Sequence, residues 1–91
     1  MTVPAEACPR LSPGVKLQFD RTRDQWILQA PERVFVLDEI SYEILLRCTG
    51  KTTVQDLVRD LSQSFDADEV EISADVEALL ASLIEKRVVA T

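Results

Sequence analysis

"ERVFVLDEISYEILLRC", residues 32–48, passes from a strand into a helix with no loop between them. Arg33-Val34-Phe35-Val36-Leu37 is β-branched and aromatic, the composition of a strand. Asp38 is a strong helix cap, and the residues after it bring Ile40, Ile44, Leu45 and Cys48 onto one helical face. Only two short strands precede this one. Its second edge is therefore either covered by an element elsewhere in the chain or left open for another chain.

Upstream, Val15, Leu17 and Phe19 alternate with Lys16, Gln18 and Asp20, the pattern of a half-buried strand. Asp20-Arg21-Thr22-Arg23-Asp24 is a polar turn, and Gln25 to Ala30 is a second strand, so the two form a hairpin. Pro31-Glu32 breaks it before the third strand. The three make a small antiparallel meander.

Downstream the chain is helical. Gly50 is the expected stop of the first helix. Thr53 caps a second helix with Asp56 in the capping-box position, and Val54, Leu57, Val58, Leu61 and Phe65 form its apolar stripe. Asp68 caps a third, with Glu71 three residues on. Ile72, Val76, Leu79, Leu80, Leu83 and Ile84 run along it, and Lys86 and Arg87 fall in its last turn, where the helix dipole favours cations. Val88-Val89 reads as a short extended tail. From Leu79 to Ile84 the apolar positions cover about 140° of the third helix, against the roughly 100° a surface helix needs. Two readings remain: the helix packs between two others, or one margin of the stripe lines a groove beside the sheet.

The 91-residue chain makes one domain, near the lower size at which a single core suffices. Residues 1–13 hold three of the four prolines and no periodicity, so they read as a flexible arm before a domain spanning 14–91. The net charge of −6 argues against non-specific nucleic-acid or membrane binding and favours a soluble, cytoplasmic protein. No apolar run approaches a membrane span, and Met1-Thr2-Val3-Pro4-Ala5-Glu6 lacks the features of a signal peptide.

The inventory of chemical groups is thin. Histidine is absent, which removes the commonest general base and metal ligand. Cys8 and Cys48 make no metal spacing and read as free thiols. "FDADEVE" (65–71) begins like a calcium loop, but Val70 and Glu71 stand where an oxygen ligand and a glycine are needed. No cofactor or metal is expected, and no nucleophile has an activator, so the chain does not read as an enzyme. Arg21 and Arg23 are solvated turn charges or an anion site, and Trp26 is core or a binding aromatic.

Three strands and three helices are the parts of a winged helix-turn-helix, an α+β fold often used on DNA. Here the second and third helices carry Asp56, Asp60, Glu69, Glu71, Asp75 and Glu77 against Arg59, Lys86 and Arg87, a charge that phosphates would repel. An acidic winged-helix regulator acting through protein partners is one reading that survives.

A small structural subunit of a larger enzyme is another, and the leading reading rests on a resemblance. "LSPGVKLQFDRTRDQWILQAPERVFVLDEISYEILLRCTGKTTVQDLV" (11–58) and "ADVEALLASLIEKRVV" (74–89) resemble the PqqD family of pyrroloquinoline quinone (PQQ) biosynthesis. Pro31-Glu32-Arg33, Ile44-Leu45 with Gly50, and Asp75-Val76 are its most specific blocks. Thr49 and Arg87 depart from it, standing where the family usually has Asp and often has glycine. The resemblance implies a winged helix-turn-helix-like peptide-recognition domain without catalysis of its own. Such a domain binds the ribosomally made PQQ precursor peptide and presents it to a radical SAM enzyme that joins a glutamate and a tyrosine of the peptide. It implies that the peptide adds as a strand beside the third strand. The residues expected to bind it are Arg33, Val34, Phe35, Val36 and Leu37 on the strand, and Val76, Leu79, Leu80, Leu83 and Lys86 on the third helix. With an edge open for pairing, the expected state is a monomer or weak homodimer.

Overall fold

The computed structural model describes residues 3–91. Its elements are β1 (Arg10–Leu11), β2 (Lys16–Asp20), β3 (Gln25–Gln29), β4 (Val34–Leu37), α1 (Glu39–Leu46), α2 (Val54–Phe65), α3 (Glu69–Glu85) and β5 (Val89–Ala90). The antiparallel sheet β2-β3-β4 is the expected meander, and the three helices follow it. Leu17, Leu28 and Phe35 stand in register across the sheet, as do Phe19, Trp26 and Leu37. Of these, Leu17, Leu28, Phe35, Trp26 and Leu37 pack into the core, while Phe19 at the rim is exposed.

Each helix starts where a side chain can take up a free backbone donor. The carboxylate of Asp38 accepts from the Ser41 N–H at 2.8 Å, that of Asp68 from Val70 at 2.9 Å, and the Thr53 hydroxyl from Asp56 at 3.1 Å. Leu28, Ile44, Leu45, Leu57, Leu61, Val76 and Leu80 form the centre of the core. Full burial of each such side chain contributes about 1.5–3 kcal/mol. Across the sheet–helix boundary the indole of Trp26 stacks on Tyr42 of α1, ring centroids 3.9 Å apart. Arg47 ties α1 to α2 by ion pairs with Glu43 (2.7 Å) and Asp60 (2.6 Å).

The N-terminal segment corrects the sequence reading. Residues 1 and 2 of the expected arm lie outside the described residues, but the rest packs onto the domain as a strap. Val3 and Pro9 are buried, and β1 pairs antiparallel with β5, Arg10 opposite Ala90. Ala7 and Ala5 carbonyls accept from the first two α2 amides, Val54 and Gln55, both at 2.9 Å. With Thr53 on the third, the whole first turn of α2 has partners. Gly50 lies beyond the end of α1, and its function differs from the expected helix stop. At φ +82°, it donates to Pro9 and lets the strap pass, a Cβ there lying 3.4 Å from that of Arg10. The tail expected at Val88-Val89 finds its partner in this strap.

The end of α3 also differs in detail. The helix stops at Glu85, Lys86 is its cap, and Arg87 lies past it in the left-handed region at φ +64°. The Arg87 N–H donates to Ile84 at 2.9 Å and the Val88 N–H to Leu83 at 3.0 Å, the two bonds of a Schellman turn.

Candidate functional site

β4 is an edge strand. Its inner neighbour is β3, and none of the described strands pairs with its other side. Which backbone groups that leaves free follows from the hairpin turn. The Ala30 N–H donates to the Arg33 carbonyl at 2.8 Å across Pro31-Glu32. In an antiparallel ladder, hydrogen-bonded and non-bonded pairs alternate. The register then makes Leu28–Phe35 and Trp26–Leu37 the bonded pairs, and Gln29–Val34 and Ile27–Val36 the non-bonded ones. Phe35 and Leu37 therefore spend their amides on β3. Val34 and Val36 turn their N–H and C=O groups to the open side.

The side chains divide the same way. Val34 and Val36 lie on the outer face, 57% and 63% exposed, while Leu37 is in the core and Phe35 is half-buried against it. Arg33, just before the strand, is exposed, and its Nη2 donates to the Lys86 carbonyl at 3.1 Å. That bond joins the start of β4 to the end of α3. The Arg33 guanidinium also lies 5.8 Å from the Phe35 ring centroid, within cation–π range. Beside it a shallow cleft of about 300 Å³ is bounded by Val15, Ala30, Pro31 and the 86–88 turn. A larger cleft, about 580 Å³, lies among the strap, α2 and α3 and includes no residue of the meander.

The structure sorts the expected helix wall into two groups. Val76, Leu80 and Leu83 are core side chains, at 0%, 0% and 4% exposure, so they are not a surface in the free protein. Leu79 and Ile84 are half-buried and flank that core, and Lys86 is exposed with its Nζ 2.8 Å from the Ser82 hydroxyl. The centre of the broad stripe is therefore core, and its two opposite margins, at Leu79 and Ile84, are half-buried. No cluster of three or more His, Cys, Asp or Glu side chains suited to a metal occurs among the described residues. Among the described residues no helix is long and apolar enough to cross a membrane.

Comparison with known proteins agrees with this fold. The family described as Coenzyme PQQ synthesis protein D (PqqD) matches residues 25–89. A relative from Xanthomonas campestris pv. campestris (strain B100), named PqqA binding protein, is 44% identical over 94% of both chains. One of the same name from Xanthomonas oryzae pv. oryzae (strain PXO99A) is 48% identical over 87% of this chain and 86% of its own. Among solved structures, the PqqD truncation of Methylobacterium extorquens PqqCD superposes with a TM-score of 0.79 at 42% identity, covering 91% of this chain and 88% of that one. It is described as a functional, stand-alone recognition element for ribosomally synthesized and post-translationally modified peptides (a RiPP recognition element). The crystal structure of PqqD from Xanthomonas campestris gives 0.63 at 42% identity, covering 99% and 100%. With a family match over most of its length and relatives this close across nearly all of it, the chain belongs to the PqqD family.

Proposed function

We propose that this chain binds the PqqA precursor peptide of PQQ biosynthesis by adding it as a strand to the open edge of β4, and presents it to the pathway's radical SAM enzyme without catalysis of its own. The observation that carries this reading is the edge itself, with Val34 and Val36 turning unpaired amides and carbonyls outward. Strand addition draws affinity from main-chain bonds and selectivity from the side chains beside them. On the outer face those are Val34 and Val36, and on the inner face Phe35 and Leu37. Leu79 and Lys86 lie on one margin of α3, available to the peptide, and Ile84 stands about 140° round the helix on the other. Val76, Leu80 and Leu83 support the Leu79 margin from behind.

Amide hydrogen exchange with and without PqqA peptide tests the assignment. Val34 and Val36 should exchange slowly only when peptide is bound, whereas Phe35 should be protected in both states by its bond to β3. Binding that leaves the Val34 and Val36 amides unprotected overturns strand addition at this edge.

A further inference from the structure

Three basic residues line one cleft at the end of the β4 edge in a chain whose net charge is −6. Arg33 and Lys86 are joined by the 3.1 Å bond described above, and Arg87 follows at once in the sequence. All three line the 300 Å³ cleft, whose one acid is Glu32. Among the described residues none of the three is in an ion pair, although Arg47 and Arg59 are. Arg33 spends one of its five N–H groups on the Lys86 carbonyl.

Arg87 supplies a second and independent observation. It occupies the left-handed position of a Schellman turn, where a side chain strains the backbone and glycine is at ease. A residue that breaks a local conformational rule is better explained by what its side chain does.

Resting on the strand-addition reading, we infer that Arg33, Lys86 and Arg87 form a carboxylate-binding subsite that fixes the register of the bound peptide. An Asp or Glu of the peptide, just beyond the position paired with Val34, meets the Arg33 guanidinium with Lys86 and Arg87 beside it. The main-chain ladder of an added strand is indifferent to register, because every second residue offers the same bonds. A charge contact at one end removes that ambiguity. Lying at the rim, it contributes through a charge-assisted bond and through the rate of encounter, both weakened by salt.

The test is a titration of PqqA peptide against the parent, Arg33→Gln and Arg87→Gly, at low and high salt. Each Asp or Glu of the peptide is also replaced in turn by its amide. Arg33→Gln should weaken binding about tenfold at low salt, the size expected of one hydrogen bond to a charged group. One amide-substituted peptide should bind the parent about as much more weakly, yet bind Arg33→Gln no worse than the unmodified peptide does. Arg87→Gly should melt at a higher temperature while binding less tightly, a pair of opposite effects that a purely structural residue would not give. Thermal melts of Arg33→Gln guard against a folding defect. Should every acid act independently of Arg33, or Arg87→Gly bind like the parent, the subsite is wrong. Val36→Pro separates the two proposals: if it binds like the parent, strand addition itself fails. If it loses binding while all acids stay uncoupled, strand addition stands and the subsite alone falls.

Discussion

Phe35 stands opposite Leu28 in the register of β3 and β4, the next bonded pair along from the Ala30–Arg33 pair that closes the hairpin. The Phe35 amide thus belongs to the sheet's own ladder, while those of Val34 and Val36 belong to the open edge. Proline removes the amide donor at whichever position it enters. Phe35→Pro should unfold the meander or lower the melting temperature steeply. Val36→Pro should keep the fold and lose peptide affinity, and Val34→Pro should resemble it. Circular-dichroism melts paired with peptide titrations check this. Equal behaviour of the three variants contradicts the parity.

The helix margin gives a second contrast. Leu80 and Leu83 are core, so their truncation to alanine should cost about 2–5 kcal/mol, a large share of a small domain's stability. Leu79 and Ile84, at opposite margins of the stripe, already meet solvent, so alanine at either should cost markedly less in stability, and at Leu79, on the Lys86 side, it should also weaken peptide binding. Urea unfolding and peptide titration on the four variants separate the groups. If Leu79→Ala binds as the parent does, the peptide does not touch the Leu79–Lys86 margin.

These contrasts mark where the sequence was readable. The meander, the caps Asp38, Thr53 and Asp68, and the stripe of α2 follow from period and polarity, which side chains state directly. The strap is not legible in the sequence because it works through the carbonyls of Ala5, Ala7 and Pro9, which any residue could supply. Its strand partner is also almost a whole chain length away, Arg10 against Ala90. The open edge could be suspected from a strand count, but its parity depends on the two-residue turn at Pro31-Glu32. Periodicity marked Val76, Leu80 and Leu83 as apolar. It could not say that they face inward, since core and groove positions share one helical stripe.

The two cysteines should differ chemically. Cys48 is buried, its Sγ 3.3 Å from the Ile44 carbonyl, and burial pushes its thiol up to about 12 from an ordinary 9.0. Cys8 is partly exposed. Iodoacetamide at pH 8 should modify Cys8 in the native protein and Cys48 only after denaturation, as peptide mass mapping would show. The raised value also has a sign for stability. The buried neutral thiol contributes in full below pH 9.0, and that contribution is lost as pH rises toward 12. Cys48→Ala should therefore show a shallower loss of stability over that interval than the parent. A parallel loss in both proteins refutes it.

Asp38 sits where β4 becomes α1, and its carboxylate is held below its ordinary 3.8 by hydrogen bonding to the Ser41 side chain and then to the Ser41 N–H. A carboxyl with a depressed folded value stabilises the fold above its unfolded pKa, and that contribution fades as pH falls through the folded value. At pH 7, Asp38→Ala should cost about 1 kcal/mol, the usual effect of removing a helix cap. Asp38→Asn keeps an acceptor for Ser41 and should recover most of it. As pH drops below 3.8, the parent protonates and loses the advantage of charge, so the gap between parent and Asp38→Ala should narrow. Urea titrations of the three proteins at pH 7 and at decreasing acid pH supply the comparison. A gap that stays constant into acid would mean that the charge of Asp38 adds nothing and its shape alone starts the helix. The same junction bears on peptide binding, because Leu37 is the last residue of the edge strand and Asp38 fixes the turn that follows it. Fraying α1 by Asp38→Ala should thus weaken peptide binding only slightly at the Arg33 end, and more for peptides long enough to pair as far as Leu37. Titrating precursor fragments truncated from either end against Asp38→Ala would reveal that gradient.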